Sequence, residues 1–238
     1  MKVTVLDWAL NTTRLITGVS APSNGSVVFN AQANTVTFTP TAGYTGAAGF
    51  TYAISDGRGG ISSANVTLNV TPPVTVTTTS LFAPTSTPTT VSVSDRPVEL
   101  GMKFTSTQAG TISGIRFYKG PQNTGTHTGT LWSATGTALG TLTFQNETAS
   151  GWQTASFATP IAIAANTTYV VSYHSNGSYS ASANGFAASV TNGPLTAPSS
   201  ASSGGNGVYA YGSTSIFPTN SFNATNYHVD VIFNGQVA

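Results

Sequence analysis

The sequence contains no cysteine, so no disulfide, thiolate metal site or cysteine nucleophile is open to it. Charge is almost as scarce. Six acidic and seven basic residues among 238 make up 5% of the chain and leave a net charge of +1. An average soluble protein carries about 25% charged residues. A nucleic-acid binder that neutralises phosphates needs clustered bases, so that class is excluded, as is a disordered acidic or basic tail. No apolar run reaches the roughly 18 residues of a membrane-spanning helix, so membrane insertion is not expected. Helical periodicity is missing too: no stretch of about ten residues keeps apolar spacing at three and four without Gly, Pro or β-branched interruption. Asp7 falls within Met1 to Leu10, which is therefore not expected to be a secretory signal. The chain is expected to be a piece of something longer.

What is present is Thr, Ser, Asn and Gly in abundance, arranged around short alternating runs of Val, Ile, Thr, Phe and Tyr. Such runs, bounded by turn residues, are strands. The spacing predicts strands near 14–19, 26–30, 34–39, 50–55 and 61–70 in a first module, about residues 1–76. Pro72-Pro73 cannot sit in a central strand and closes that module. Val74 to Thr79 reads as a linker or an edge strand. A second module, residues 80–238, has strands near 80–83, 98–105, 111–118, 129–134, 138–145, 152–158, 160–164, 168–175, 207–212 and 227–234. Ser175 to Gly207 reads as long loops with a weak strand near Gly185 to Ser189. The expected fold is all-β: an immunoglobulin-like sandwich followed by a larger jelly-roll-type β-sandwich.

In the first module Asn24-Gly25 predicts a hairpin turn, Phe50 and Tyr52 alternate into a core, and Asp56-Gly57 opens a turn before the last long strand. The order Asn24-Gly25-Ser26, Val36 to Pro40, Gly43-Tyr44-Thr45-Gly46, Phe50-Thr51-Tyr52, Ser55-Asp56-Gly57 resembles the cadherin-like, immunoglobulin-like tandem repeats of bacterial surface proteins, over residues 14–70. The resemblance implies a spacer. Where the family commonly has an Asp before its Phe-Thr-Tyr strand, this chain has Ala47, Ala48 and Gly49, which argues against a multi-carboxylate calcium site. The family's acidic opening strand is missing or eroded. An exposed sheet edge is then expected, to be covered by Met1 to Leu10 or by another molecule.

In the second module, Val98 to Phe104, Gly114 to Lys119, Asn123 to His127, Leu131-Trp132, Gly151-Trp152-Gln153, Tyr169 to His174, Asn206 to Tyr209 and Tyr227 to Val231 resemble an uncharacterised domain family of secreted bacterial proteins. That family is often found beside cadherin-like repeats and in polysaccharide-related proteins, and His228 stands where many members look to have Trp. The resemblance implies an extracellular or bacterial cell-surface location.

Side chains alternate along strands. Val98, Leu100, Met102 and Phe104 share a core face, as do Ile115 with Phe117 and Val229 with Val231. Opposite them fall Glu99, Lys103, Arg116, Tyr118, His174, His228 and Asp230. If these strands share one sheet, they make a hydrogen-bonding surface with Tyr118 as stacking ring, suited to a sugar. Outward charges in surface ion pairs are the plain alternative. Asn123, Thr124, Thr126 and His127 form a second candidate, against which stands an ordinary turn bonding its own backbone. Tyr179, Asn206, Tyr209 and Tyr211 form a third. Trp132 and Trp152 are read as core.

Catalysis is not expected. The second module's carboxylates, Asp95, Glu99, Glu147 and Asp230, show no spacing for a glycosidase pair. Nucleophile elbows, zinc motifs and phosphate loops are missing. Calcium held by backbone carbonyls and one acid, such as Asp95 or Glu147, is compatible with the sequence. The expected function is a non-catalytic polysaccharide- or glycan-binding, adhesive module. The alternative is a structural subunit of an adhesive or filamentous assembly, self-associating at an exposed sheet edge by strand donation from Met1 to Leu10.

Overall fold

The computed structural model describes residues 2–3, 15–72 and 75–237, and among these there is no helix. The chain divides into two compact units, residues 1–74 and 75–237.

The first unit is an immunoglobulin-like pair of antiparallel three-stranded sheets. One holds β1 (Lys2–Val3), β4 (Thr35–Pro40) and β3 (Gly25–Asn30); the other holds β2 (Leu15–Ser23), β5 (Gly46–Ser55) and β6 (Ile61–Val70). Ile16, Val36, Phe38, Ala48 and Phe50 form the core, where Phe38 and Phe50 stack at 6.2 Å. The expected hairpin at Asn24-Gly25 is instead a corner. The strands on either side of it pair elsewhere, β2 with β5 and β3 with β4. Asn24 takes a positive φ of 56°. A Cβ on Gly25 would lie 2.4 Å from the Phe38 ring, so the close approach requires glycine there. Asp56 closes the β5–β6 hairpin as expected, accepting the N–H groups of Arg58 and Gly60. Of Met1 to Leu10, Lys2 and Val3 pair with Thr37 and Val36 of this chain's own β4. The rest of the stretch lies outside the described residues.

The second unit runs through β7 (Thr75–Thr79), β8 (Thr90–Ser94), β9 (Val98–Ser106), β10 (Gly110–Lys119), β11 (Thr128–Ser133), β12 (Ala138–Thr143) and β13 (Gly151–Ile163). It continues through β14 (Tyr169–Ser175), β15 (Ser178–Ala181), β16 (Val190–Asn192), β17 (Leu195–Ala197), β18 (Val208–Tyr211), β19 (Asn220–Ser221) and β20 (Val229–Val237). A four-stranded antiparallel sheet, β13-β10-β20-β7, faces a larger one, β12-β11-β14-β9. Two short strands, β18 and β17, share the free edge of β9. Leu100, Met102, Phe104, Phe117, Val171, Tyr173, Val231 and Phe233 fill the space between the sheets. A bulge at Ser113 lets Ile112 and Ile115 both point into that core despite their odd spacing.

Three segments differ from the expected strand pattern. Leu81 and Phe82 are buried in a bend rather than a strand. Thr90–Ser94 is a strand, pairing with Ser178–Ala181. The Ser175 to Gly207 stretch holds β15 and the β16–β17 hairpin, too short and too rich in Ser and Thr to stand out by alternation.

The shared edge of β9 is bridged by one side chain. β18 covers Val98 to Gly101, and β17 covers Thr105 and Ser106. Between them, Asn206 Oδ1 accepts the Lys103 N–H at 2.8 Å, and Asn206 Nδ2 donates to the Lys103 carbonyl at 3.1 Å and to the Pro198 carbonyl at 2.8 Å. The fully buried carboxamide thus stands in for a strand residue. Asn206→Ala is expected to cost about 2–4 kcal/mol and to lower Tm by roughly 5–15 °C in a thermal melt. Asn206→Asp should be no milder, because it turns an acceptor toward two carbonyls.

Candidate functional site

The surface expected from Glu99, Arg116, Tyr118, His174, His228 and Asp230 does not form. Glu99 and His174 project from the larger sheet, Arg116, Tyr118 and Asp230 from the smaller one. All but Tyr118 are buried. The reason is cover. Residues 81–86 lie over the outer side of β10 and β20, and residues 215–218 over the outer side of the larger sheet.

Asp230 accepts the N–H groups of Leu81 and Phe82, each at 2.9 Å. Arg116 donates to Asp230 Oδ2 at 2.6 Å and to the Phe82 carbonyl, and its guanidinium lies 4.4 Å from the centre of the Trp152 ring. The pair therefore clamps the covering segment. Removing one partner leaves a buried charge unpaired, which costs far more than the pair itself contributes. Arg116→Ala is expected to lower unfolding free energy by about 3–5 kcal/mol in a denaturant titration, with Tyr118→Ala much milder.

His228 sits beside Phe82, Tyr118 and Trp152, with ring centres 5.9, 6.3 and 6.2 Å away. Ser182 Oγ accepts the Thr89 N–H and lies 2.9 Å from Nε2 of the His228 imidazole. Burial lowers its pKa to about 4. Below about pH 6.5 the unfolded chain takes up a proton that the folded protein refuses until about pH 4. Stability is therefore lost as pH falls through that window, by about 1.4 kcal/mol per pH unit for this group, and no further below it. Urea melts between pH 7 and 4 should show this slope, and His228→Asn, which tolerates the residue's positive φ, should flatten it.

On the larger sheet, Trp132 Nε1 donates to Ser172 Oγ at 2.7 Å, Ser172 donates to Glu99 Oε1 at 2.5 Å, and His174 Nδ1 lies 3.3 Å from Glu99 Oε2. This network lies beneath the covering segment, where Gly101 leaves room. A Cβ there would lie 2.6 Å from the Val171 carbonyl and 3.3 Å from Pro218.

Asn123 and His127 are buried supports for their loop. His127 Nδ1 donates to Glu147 at 2.9 Å, and Glu147 also pairs with Lys119 at 2.8 Å. Burial holds the His127 pKa below 6.5 despite Glu147, so its Nε2 is an acceptor. The Asn123 carboxamide lies 2.8 Å from that nitrogen and 3.1 Å from Ser175 Oγ, whose proton goes to the Ser178 carbonyl at 2.5 Å. Turning the Asn123 nitrogen, with its two hydrogens, toward both gives each of these acceptors a donor.

Of the third group, Tyr179, Tyr209 and Tyr211 come together around an acid, while Asn206 lies apart at Lys103. β8 delivers Asp95 beside Tyr179 of β15, and β18 brings Tyr209 and Tyr211 alongside Leu100 and Val98. Asp95 Oδ2 accepts hydrogen bonds from Tyr211 at 2.9 Å and, more loosely, Tyr179 at 3.4 Å. Tyr227 packs edge-on against Tyr179 at 5.7 Å. Together with Phe222 these residues line a cleft of about 270 Å³. Phe222 is 60% exposed and Tyr211 40%. Burial raises the Tyr179 pKa to about 12, and the bond to Asp95 raises that of Tyr211, so both phenols keep their protons. Beyond Asp95 a second cleft of about 340 Å³ is lined by Ser94, Gln122, Thr124, Asn176 and Ser178. The arrangement offers aromatic rings on one side, amides and hydroxyls on the other, and a carboxylate between. Sequence reasoning passed over Phe222, whose Asn- and Ser-rich surroundings carry no strand pattern, and weighed Asp95 only as a catalytic acid, set aside, or a calcium ligand.

A family model described as a domain of unknown function (DUF4082) matches residues 85–229, more than half of the chain, and one described as a bacterial Ig domain matches residues 3–69. The chain belongs to the DUF4082 family. Both resemblances read from the motifs are thereby borne out, and the Ig match extends eleven residues nearer the N-terminus than the motifs did. No curated protein and no solved structure matches the chain. Bacterial Ig domains commonly occur in extracellular or surface proteins, and the pairing with DUF4082 points to a surface or extracellular β-sandwich protein. A calcium ion does not suit the DUF4082 acids. Hydrogen-bond donors already face both oxygens of Asp95, Glu147 is held by Lys119 and His127, and no set of three metal-ligating side chains occurs among the described residues.

Proposed function

We propose that the DUF4082 domain is a non-catalytic glycan-binding module, carried by an Ig-like spacer, and that its site is the tyrosine-lined cleft at Asp95. The observation that carries this reading is the position of Asp95 between an aromatic cleft and a hydroxyl- and amide-lined one. A pyranose presents an apolar C–H face and a rim of hydroxyls. The exposed ring of Phe222 suits the first, and Asp95 Oδ1, which keeps a lone pair beside the one that takes the Arg96 N–H, suits the second. The carboxylate is fixed by the N–H of Arg96 and the hydroxyl of Tyr211, so little ordering is needed on binding. The other three carboxylates of the unit are each tied into separate buried networks, which supports binding rather than bond cleavage.

The reading is tested on a glycan and polysaccharide array followed by titration of the hits. Phe222→Ala and Asp95→Asn are each expected to weaken binding about tenfold or more, with Tm close to that of the parent protein. Equal binding by both variants, or silence across the array from folded protein, would overturn it.

A further inference from the structure

A larger cleft, of about 510 Å³, lies on the other side of the larger sheet from the Asp95 cleft. That is within the roughly 300–1,000 Å³ of small-molecule sites. Phe217 and Pro218 give it an apolar wall, and Thr105, Thr168 and Thr219 line it with hydroxyls that have no hydrogen-bond partner among the described residues. Its one charged side chain is Lys103.

Lys103 stands apart from the other cations of its domain. Arg116 is paired with Asp230, Lys119 with Glu147, and Arg96 lies 3.9 Å over the Tyr211 ring. Lys103 has no ion-pair partner among the described residues. Its ammonium donates once, to the Ser203 carbonyl at 2.9 Å, which leaves two of three hydrogens for a ligand. The side chain is tethered at both ends, its backbone by Asn206 and its ammonium by the Ser203 carbonyl.

We infer that this cleft binds an acidic sugar, a hexuronate unit whose carboxylate pairs with Lys103. The threonine hydroxyls take the ring hydroxyls, and the Phe217–Pro218 wall covers the C–H face. No acidic side chain lines the cleft to oppose an anion. The inference is independent of the Asp95 site, where a carboxylate would repel the same ligand.

The probe is a trimer of galacturonic acid, titrated into the full chain by calorimetry, beside its methyl ester and sodium acetate. The acid trimer should bind saturably, more weakly at high salt, with the ester at least about tenfold weaker. Acetate should bind more weakly than the trimer. Lys103→Gln should lose about tenfold or more, Lys103→Arg should largely retain binding, and Asp95→Asn should not reduce it. Tm of each variant shows that the fold persists. No saturation by the acid trimer up to about 10 mM would overturn the proposal. So would equal binding of acid and ester, unchanged binding by a folded Lys103→Gln, or acetate binding as tightly as the trimer.

Discussion

The tyrosine-lined cleft and the cleft at Lys103 both depend on one carboxamide. The free edge of β9 is taken by β18 for part of its length and by β17 for the rest, and strands that share an edge leave a gap in the ladder between them. Asn206 fills that gap by bonding the N–H and the carbonyl of Lys103 and the carbonyl of Pro198. The consequences run both ways along β9. Toward Val98, β18 is held in register and presents Tyr209 and Tyr211 to Asp95. At Lys103, the chain around Pro198 and Ser203 is drawn against the sheet and walls the larger cleft there. A backbone strand could not serve in its place, because the chain must leave the sheet here to form both walls.

The same device appears on the smaller sheet with charge in place of an amide. The segment after β7 has no strand partner, so its N–H groups need another acceptor. Asp230 supplies it, and Arg116 completes the contact through the Phe82 carbonyl. The covering segment then buries His228 against Phe82, which is why a histidine at the end of a sheet loses its affinity for protons. Polar side chains thus do the work of holding irregular segments on a sandwich whose strands are already satisfied.

This explains what the sequence reveals and what it conceals. Alternation separates two faces of a strand, and the inner face was legible throughout: Leu100, Met102 and Phe104, Ile115 and Phe117, Val229 and Val231 all lie in the core. Alternation is silent on whether the other face is bare. Glu99 and Asp230 sit opposite core residues, as read, but beneath segments with no periodicity of their own, and both are fully buried. Polar residues on the second face therefore reported internal bonds rather than a surface. The Tyr179, Tyr209 and Tyr211 cluster was visible as composition, yet the acid that organises it lies more than 80 residues from the first of them, just past the end of a strand too short and Ser-rich to be noticed.

The scarcity of charge sharpens the functional argument. The second unit has only eight Asp, Glu, Lys and Arg residues, Asp95, Arg96, Glu99, Lys103, Arg116, Lys119, Glu147 and Asp230. Burial forces charges to find partners, and five of these are spent on internal bonds: Arg116 with Asp230, Lys119 with Glu147, and Glu99 with Ser172. Three are left. Arg96 lies over Tyr211, at the rim of the cleft that holds Asp95. Lys103 stands alone in the other cleft. In a domain with so few charges, Asp95 and Lys103 face open clefts with opposite signs and on opposite sides of one sheet. A single ligand chemistry does not suit both. A carboxylate that accepts hydroxyl protons favours neutral sugar units, and an ammonium among unpaired hydroxyls favours acidic ones. If both proposed sites bind as argued, a polysaccharide carrying both kinds of unit would engage both sides of the sheet at once.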